Sequence, residues 1–479
     1  MMLASRWSSG LPRRILLVVF LIFFIAFLFT WRDKIHSDVL FFNQSNLPFG
    51  KLTSDAGCPL DLAYLKHERY GLQNDIVFHR QCLRAIRNDG VDRTDVADVP
   101  DSVLGRSQDV DLEGDCRVRE EMPCDPVEVQ VPSPFPAQQY PELLFGVATS
   151  FDRLVDSIPQ LSHWLANSGA RLVAVVVDAA ERESDLAQLV ALFESHGVEL
   201  IVARPMRDGL DVNQQHFTVL GDLLAHANEE TKWICVIDDD TFFPSLFTLS
   251  EALDNYDHTA PAYLGGLSDS MWAIEQHGLL AYGGAGVFMS MPLVRQVVPH
   301  IDKCLAEGNT GQGDALLKNC IYAQTDTRLT IMPGLNQLDL RGDTSGFYES
   351  GRWPLSLHHW KTWHSAPVDQ MARVADFCGG CFLQRWRFGG DTVLANGYSV
   401  AVYRGGIAHE DLNTTEATFD NAHLYDWAYG PLRARVDGGA KKSFILVDAE
   451  RFGQAVRQVY VHRGGESARD EVLELWWDW

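Results

Sequence analysis

The feature that most limits how this chain can fold is a short apolar run, residues 233–237, that ends in the consecutive carboxylates Asp238, Asp239 and Asp240. A run of this kind is typical of a buried strand in an α/β sheet. Because Asp is unfavourable inside strands, we expect the triplet at the strand's carboxyl end, where open α/β sheets bind ligands. Adjacent carboxylates repel one another, and a hard divalent cation would relieve that repulsion. A solvated acidic turn without metal is the alternative.

Strand and helix patterns alternate ahead of this run. The predicted strands are residues 143–148, 171–177 and 198–203, and the predicted helices are residues 153–167, 184–195 and 213–228. Such alternation predicts a mostly parallel, Rossmann-like sheet. The sequence therefore predicts an α/β domain over residues 141–365, with the Asp triplet at a sheet edge.

The N-terminal part predicts attachment to a membrane. Residues 15–31 are uncharged and almost wholly apolar, and basic residues flank them. Bulky residues follow the run where a signal-peptidase site would need small ones, so the pattern favours an uncleaved signal anchor over a cleaved signal peptide. The charge bias predicts a cytoplasmic tail over residues 1–14, hence a type II protein. A run this short suits the thinner membranes of the ER or Golgi.

Two further regions flank the α/β domain. Residues 32–140 are acid-rich and then proline-rich, which predicts a partly disordered stem. Residues 366–479 predict a smaller β-rich C-terminal region. The net charge of −24, with no basic stripe, argues against a nucleic-acid partner.

A lumenal location predicts that most of the nine cysteines are oxidised. Cys235 lies inside the proposed buried strand and is the best candidate for a free thiol. The pairing of the others cannot be read, although Cys378 and Cys381 favour a disulfide over a zinc site because no second ligand pair accompanies them. Asn43 and Asn413 begin glycosylation sequons.

Three later motifs are candidates for a functional site, and each has a purely structural alternative. The segment Gly283, Gly284, Ala285 and Gly286 lets a backbone approach a ligand closely, or forms a tight turn. Asp314 begins a predicted helix, where simple capping is the alternative. His358 and His359 would face opposite sides of a strand, and a satisfied core or surface histidine is the alternative reading.

The order of these motifs resembles the Fringe-like, family-31 glycosyltransferases, specifically a fungal-type branch with an extra C-terminal region. The resemblance covers residues 143–364 and is sharpest at the Asp triplet and the glycine-rich segment. It implies a GT-A fold on a type II membrane anchor. It also implies transfer of a sugar from a UDP-sugar with inversion, generally with Mn²⁺.

The resemblance also implies roles for single residues. Asp240 would be the main metal ligand and His358 the distal one, with His359 or Asp238 as fallback. Asp314 would be the catalytic base, although Gly313 precedes it where the family often has an acidic residue. The donor-binding residues implied are Asp238, Asp239, Gly283, Gly284, Ala285 and Gly286.

The resemblance thus implies a metal-dependent inverting glycosyltransferase, and with the predicted anchor this places it in the secretory pathway. It would move a sugar from a UDP-sugar to a hydroxyl of a glycan or glycoprotein. A dehalogenase-type phosphatase fits less well, because Phe242 stands where that pattern needs Thr or Val. A catalytically inactive, lumenal glycan-binding or scaffold protein with the same fold is the alternative.

Overall fold

The computed structural model describes residues 62–113, 124–207, 209–308, 311–466 and 468–478, all within one compact unit, Cys58–Trp479. The predicted tail, the predicted anchor at residues 15–31 and the sequon at Asn43 lie outside these ranges. Across the ranges described, no helix has both the length and the apolar character needed to cross a membrane.

The described strands make up two large sheets and one small pair. They are β1 (Asp75–Arg87), β2 (Val96–Val99), β3 (Ser107–Asp111), β4 (Pro126–Val131), β5 (Leu143–Thr149), β6 (Arg171–Val176), β7 (Glu199–Ala203), β8 (Trp233–Val236), β9 (Tyr263–Gly265), β10 (Val287–Ser290), β11 (Leu329–Ile331), β12 (Arg385–Phe388), β13 (Thr392–Ala395), β14 (Ser399–Tyr403), β15 (Thr415–Glu416), β16 (Leu432–Arg433), β17 (Lys441–Phe452), β18 (Ala455–His462) and β19 (Asp470–Asp478).

The longer described helices lie between β5 and β11, and single-turn helices follow them. The α-helices are α1 (Phe151–Asp156), α2 (Ile158–Leu165), α3 (Leu186–Ser195), α4 (Val212–His226), α5 (Leu246–Leu253), α6 (Met271–His277), α7 (Met291–Val297), α8 (Ile301–Glu307), α9 (Gly313–Gln324), α10 (Ser345–Tyr348), α11 (Val368–Met371), α12 (Ala375–Cys378), α13 (His409–Leu412) and α14 (Asp426–Tyr429). Short 3₁₀ turns are Ala63–Lys66, Glu68–Tyr70, Gly283–Ala285, Val298–His300, Ala372–Val374, Gly379–Cys381 and Ala422–Leu424.

A seven-stranded sheet with the order β11-β9-β10-β8-β5-β6-β7 forms the α/β domain. Strands β8, β5, β6 and β7 run parallel, and β10 is antiparallel to both β8 and β9. Leu144 and Ile234 pack with Phe217 of α4, whereas Phe145 and Cys235 belong to the larger core on the opposite face. Both faces are therefore covered, which explains why these strands read as continuous apolar runs. The predicted Rossmann-like core is present, in a sheet that is mixed.

A ten-stranded sheet joins the two ends of the described chain, in the order β2-β12-β13-β14-β17-β18-β19-β1-β3, with β4 also paired to β1. Strand β1 runs parallel to β19, in a register that aligns Ile76 with Asp470. Four strands, β1 to β4, therefore lie within the predicted stem over residues 32–140. They share one sheet with strands of the predicted C-terminal region, residues 366–479.

The reason for this difference is that β1 needs a distant partner. Its buried side chains include Ile76, Phe78 and Leu83, but charged residues interrupt the pattern. One of them, Arg80, donates from Nε to Glu474 of β19 at 2.5 Å. Glu474 lies 394 residues further along the chain, so the local pattern around Arg80 does not predict this strand pairing.

Disulfides join Cys82 to Cys124, Cys304 to Cys320 and Cys378 to Cys381. The last of these is the disulfide that the sequence predicts. The free thiol predicted at Cys235 is also present, and it is buried. Cys58 and Cys116 lie outside the described residues.

Candidate active site

The Asp triplet follows directly after β8, as the sequence predicts. Just beyond it, Phe242 and Leu357 exchange two backbone hydrogen bonds, each of 2.8 Å. This antiparallel bridge brings the following residue, His358, beside the triplet. The Nε2 atom of His358 lies 3.0 Å from Oδ1 of Asp240 and 3.5 Å from Oδ2 of Asp238.

The two adjacent histidines face the same site, contrary to the prediction that they lie on opposite faces of a strand. His359 has a φ of 55°, in the left-handed region, so the chain turns instead of continuing as a strand. Its ring centroid lies 3.8 Å from that of His358, and it stacks on Trp363 at 3.9 Å.

Asp240, His358 and His359 each offer a ligand atom, and these atoms lie within 4.8 Å of one another. The Nδ1 atom of His358 lies 3.0 Å from the carbonyl oxygen of Gln337, so an Nδ1–H would donate there and Nε2, beside Asp240, is the nitrogen that would bind a metal ion. Nε2 of His359 lies 3.0 Å from Oδ1 of Asp339. Its buried Nδ1 has no hydrogen-bond partner in the parts of the chain that the structure describes. One carboxylate and two oriented imidazoles fit a divalent transition metal such as Mn²⁺.

The middle carboxylate of the triplet faces a different partner. Both oxygens of Asp239 accept hydrogen bonds from the guanidinium of Arg153, and Thr149 also donates to it. Asp239 is buried, while the Arg153 side chain is half exposed. The ion pair therefore holds the positively charged guanidinium of Arg153 near the carboxyl end of β5. Sequence reasoning missed Arg153, because a single basic residue on a predicted helix carries no distinguishing signal.

Asp314 lies in the first turn of α9 and contacts α4. Its Oδ1 lies 3.0 Å from Nε2 of His216, and Nδ1 of the same ring lies 3.4 Å from Oδ1 of Asp238. His216 thus joins the predicted base to the Asp triplet. Sequence reasoning also missed His216, since on α4 it lies beside the buried apolar residues and resembles one more core position.

Burial and charge compete at two of the site histidines, His216 and His358. Burial disfavours a charged imidazole, but at His216 the hydrogen bond and charge of Asp314, helped by Asp238, outweigh it and raise the pKa to about 9. Burial also lowers the pKa of His358, but the hydrogen bond and charge of Asp240, helped by Asp238, outweigh it and raise that pKa to about 9. Burial would raise the pKa of Asp240, yet its hydrogen bond to His358 lowers that pKa to about 2. The pKa shifts of Asp240 and His358 therefore favour the charged form of both groups.

The glycine-rich segment lies beneath the site. Gly283, Gly284, Ala285 and Gly286 are buried, and none of them is among the described residues that line the cleft. A Cβ on Gly283 would lie 2.7 Å from the His216 ring, and one on Gly284 would collide with the ring of His358. Gly283 and Gly284 thus make room for the rings of His216 and His358. The donor-binding role of the segment stays a prediction.

Packing also explains why glycine, and not an acidic residue, precedes Asp314. A Cβ on Gly313 would lie 2.7 Å from the carbonyl oxygen of Asn213 and 2.9 Å from the His216 ring. An acidic residue at this position would therefore force α4 and α9 apart. The Cys304–Cys320 disulfide joins α9 to α8 and further fixes the helix that carries Asp314.

The site opens into a cleft of about 1080 Å³, larger than a pocket for one small ligand. Thr149, Arg153 and Val177 line it at the ends of β5 and β6, and Asp314 lines it from α9. Segments beyond residue 366 also contribute, since Asp420, Asn421, Leu424 and Tyr425 line the same cleft. Of the predicted site residues, Asp238, Asp239, Asp240, Asp314, His358 and His359 all lie in this one cleft.

The fold and site define an α/β protein with an acidic–imidazole centre at the carboxyl edge of a Rossmann-like sheet. A family model described as "Protein of unknown function, DUF604" matches residues 275–375, which hold Asp314, His358 and His359. The match covers well under half of the chain.

Part of the chain is also similar in sequence to curated glycosyltransferases. It is 27% identical over 160 residues to the beta-1,3-glucosyltransferase of Mus musculus, covering 32% of this chain and 29% of that protein. It is 27% identical over 130 residues to chondroitin sulfate synthase 3 of Homo sapiens, covering 25% of this chain and 14% of that protein. The chain thus spans less than a third of the length of either relative.

Among solved structures, the mannosyltransferase PcManGT of Pyrobaculum calidifontis, in complex with GDP-Man and Mn²⁺, overlaps 43% of this chain and 58% of that chain. The sequence identity is 12% and the TM-score is 0.29. An overlap of this size carries no conclusion about function.

Proposed function

We propose that this protein is a metal-dependent, inverting glycosyltransferase that moves a sugar from a UDP-sugar to a hydroxyl of a glycan or glycoprotein. The observation that carries the proposal is that the Asp240–His358–His359 cluster and the carboxylate of Asp314 open onto the same cleft. The sequence similarity to beta-1,3-glucosyltransferase and chondroitin sulfate synthase 3 supports the same class.

Asp240 and His358 would hold the metal ion, with His359 or Asp238 as a further ligand. A bound divalent cation such as Mn²⁺ supplies Lewis-acid stabilisation of the negative charge that develops on the departing diphosphate. Arg153, held by Asp239 at the end of β5, adds a fixed positive charge on the side of the cleft where open α/β sheets bind nucleotides.

Asp314 would accept the proton of the attacking hydroxyl. The acceptor oxygen forms a bond to the anomeric carbon, the bond from that carbon to the UDP oxygen breaks, and the proton moves to the carboxylate. His216 contacts Oδ1 of Asp314 and so orients this carboxylate. One base is sufficient for inversion, and its contribution is typically about 10²–10⁴-fold in rate.

The proposal is tested by UDP release from a panel of UDP-sugars, with and without Mn²⁺. We expect Asp240→Ala to lose Mn²⁺-dependent donor binding. We expect Asp314→Asn, which keeps the side-chain size, to bind donor normally but to turn over at least about a hundredfold more slowly. Full turnover by Asp314→Asn would refute the base assignment. Glycan binding without UDP release from any donor would favour the inactive glycan-binding alternative.

We also propose that the predicted anchor at residues 15–31 holds the chain in a Golgi or ER membrane, with the remainder in the lumen. Asn413 is exposed after α13, so its sequon would be accessible for glycosylation. Protease protection in intact microsomes, combined with enzymatic removal of N-glycans, tests this orientation. Digestion of the C-terminal part without detergent would contradict it.

A further inference from the structure

Trp272 of α6 lines the cleft but takes no part in the proposed metal or nucleotide site. Its side chain is 52% exposed. A short series of contacts relates it to the proposed base. Trp272 meets His277 edge-on at 6.2 Å, and Nε2 of His277 lies 3.3 Å from Nε2 of Gln312, two residues before Asp314. These contacts connect the indole to the start of α9, the helix that carries Asp314.

The C-terminal region supplies the adjoining wall. The backbone N–H of Asp420 donates to the carbonyl oxygen of Arg341 at 2.9 Å, and Tyr425 donates from its hydroxyl to the carbonyl oxygen of Asp339 at 3.1 Å. These contacts hold residues 419–425 against the loop that also carries the partner of His359. The segment is thus fixed in place at the rim of the cleft.

The same loop also fixes α6. Ser268 donates a hydrogen bond to the carboxylate of Asp339, and the backbone N–H of Leu338 donates to Asp269 at 2.5 Å. The start of α6, with Trp272, and the 419–425 segment are therefore both anchored to residues 338–341. Trp272, Asp420 and Asn421 line the same cleft as Asp314.

The chemistry of this surface suits a sugar. An exposed indole offers an apolar face to the C–H side of a pyranose ring, while carboxylate and amide groups bond to its hydroxyls. The side chains of Asp420 and Asn421 are exposed and have no hydrogen-bond partner within the described ranges. The Asp420 carboxylate is exposed in the cleft and has no salt-bridge partner within the described ranges, so it would repel the carboxylate of an anionic sugar bound beside it.

We propose that Trp272, Asp420 and Asn421 form the acceptor subsite, and that it binds a neutral sugar residue of the acceptor glycan. This inference rests on the proposed function and extends it, because it assigns to the C-terminal region a part in the active site. The acceptor ring stacks on Trp272, and its hydroxyls bond to Asp420 and Asn421. Its reacting hydroxyl then points towards Asp314.

The test compares three variants of the full chain with a matched control. Trp272→Ala, Asp420→Ala and Asn421→Gly each remove one proposed contact. Glycine is used at Asn421 because its φ of 55° is left-handed. The control is Trp427→Ala, since Trp427 is 44% exposed but does not line the cleft.

Transfer is measured with neutral hexosides and with the matching hexuronides, and UDP-sugar hydrolysis without acceptor is measured in parallel. We expect Trp272→Ala to raise the acceptor KM at least about tenfold, because the variant loses the apolar surface that the indole and the bound sugar would bury together. Acceptor-free hydrolysis and donor KM should stay unchanged, Trp272→Phe should recover part of the loss, and hexuronides should be poorer acceptors. An unchanged acceptor KM in all three variants, or a preference for hexuronides, would overturn the inference.

Ligand-observed NMR with the neutral hexosides separates this inference from the proposed function. If the wild-type chain releases no UDP but binds a neutral hexoside that Trp272→Ala does not bind, the subsite stands and the transferase activity fails. If the wild-type chain transfers sugar while Trp272→Ala and wild type bind the hexoside equally, the transferase activity stands and the subsite fails.

Discussion

Nε2 of His216 lies 3.0 Å from Oδ1 of Asp314, although the two residues come from different helices, α4 and α9. The ring is almost fully buried, and its second nitrogen faces Asp238. The orientation of the proposed base therefore depends on a side chain that does not itself need to touch an acceptor.

Removing this contact should lower turnover more than substrate binding. We expect His216→Ala to reduce kcat by about ten- to a hundredfold, the range for loss of a charge-assisted hydrogen bond, with donor KM nearly unchanged. His216→Gln, which places an amide N–H near Asp314, should recover part of the rate. Steady-state kinetics with varied donor checks this. His226→Ala, an exposed position on the same helix, is the control, and an equal loss there would point to general damage of α4.

Metal removal should abolish activity reversibly. We expect a chelator to stop UDP release and Mn²⁺ to restore it. His358→Ala should weaken Mn²⁺ binding by more than the roughly 10–100-fold typical for loss of an outer hydrogen-bond partner, since His358 would bind the ion directly. Titration of Mn²⁺ followed by electron paramagnetic resonance measures the affinity. His423→Ala, on an exposed residue outside the cluster, should bind Mn²⁺ normally. Unaltered affinity in His358→Ala would exclude His358 as a ligand.

The glycine beneath the site should not tolerate a methyl group. A Cβ at Gly284 would collide with the His358 ring, so Gly284→Ala should displace that ring and cost about 1–3 kcal/mol of stability, as overpacking does elsewhere. Thermal unfolding and Mn²⁺ titration together test both effects. Gly405→Ala is the matched control, because no atom lies within 4 Å of its Cβ position. A normal melting temperature and Mn²⁺ affinity in Gly284→Ala would contradict the packing argument.

Titration of the buried Asp269 should lower the free energy of unfolding as the pH rises from about 4 to about 6. Burial raises its pKa to about 6, against 3.8 for the ordinary carboxyl group, despite the opposing hydrogen bond from the backbone N–H of Leu338. Because the folded state binds this proton more tightly than the unfolded state, protonated Asp269 contributes fully to the free energy of unfolding below pH 3.8. The contribution is lost as the pH rises through 6. The loss amounts to about 3 kcal/mol for a shift of this size.

Asp269→Asn should remove this dependence. The difference in melting temperature, wild type minus variant, should therefore decrease between pH 4 and pH 6 and then level off. Differential scanning calorimetry across that range measures it. A difference that stays constant with pH would show that Asp269 does not titrate in this window.

The local pattern of apolar and polar residues was sufficient to predict many of the strands and helices of the α/β domain. The strand predicted at residues 143–148 is β5, Leu143–Thr149, and the Asp triplet follows β8 as expected, because buried strands and their acidic ends are encoded by consecutive residues. The helix predicted over residues 153–167 is instead two, α1 and α2. Pro159, in the first turn of α2, has no N–H to continue a helix.

The rest of the site depends on contacts that local pattern does not encode. The pairing of His216 with Asp314 arises only when two helices pack together. The turn at His359 depends on a left-handed backbone, which sequence patterns seldom reveal for histidine. The segment 419–425 reaches the cleft through hydrogen bonds to residues 339–341, far away in the chain.

The parallel pairing of β1 with β19 has a consequence for synthesis of the protein. Ribosomes release Ile76 long before Asp470, its partner in the register, so β1 must wait for nearly the whole polypeptide with one edge open. Unpaired edges of this kind invite association with other chains. Nascent molecules should therefore depend on chaperones until translation ends, and premature termination anywhere before β19 should yield aggregates even where the α/β domain is complete.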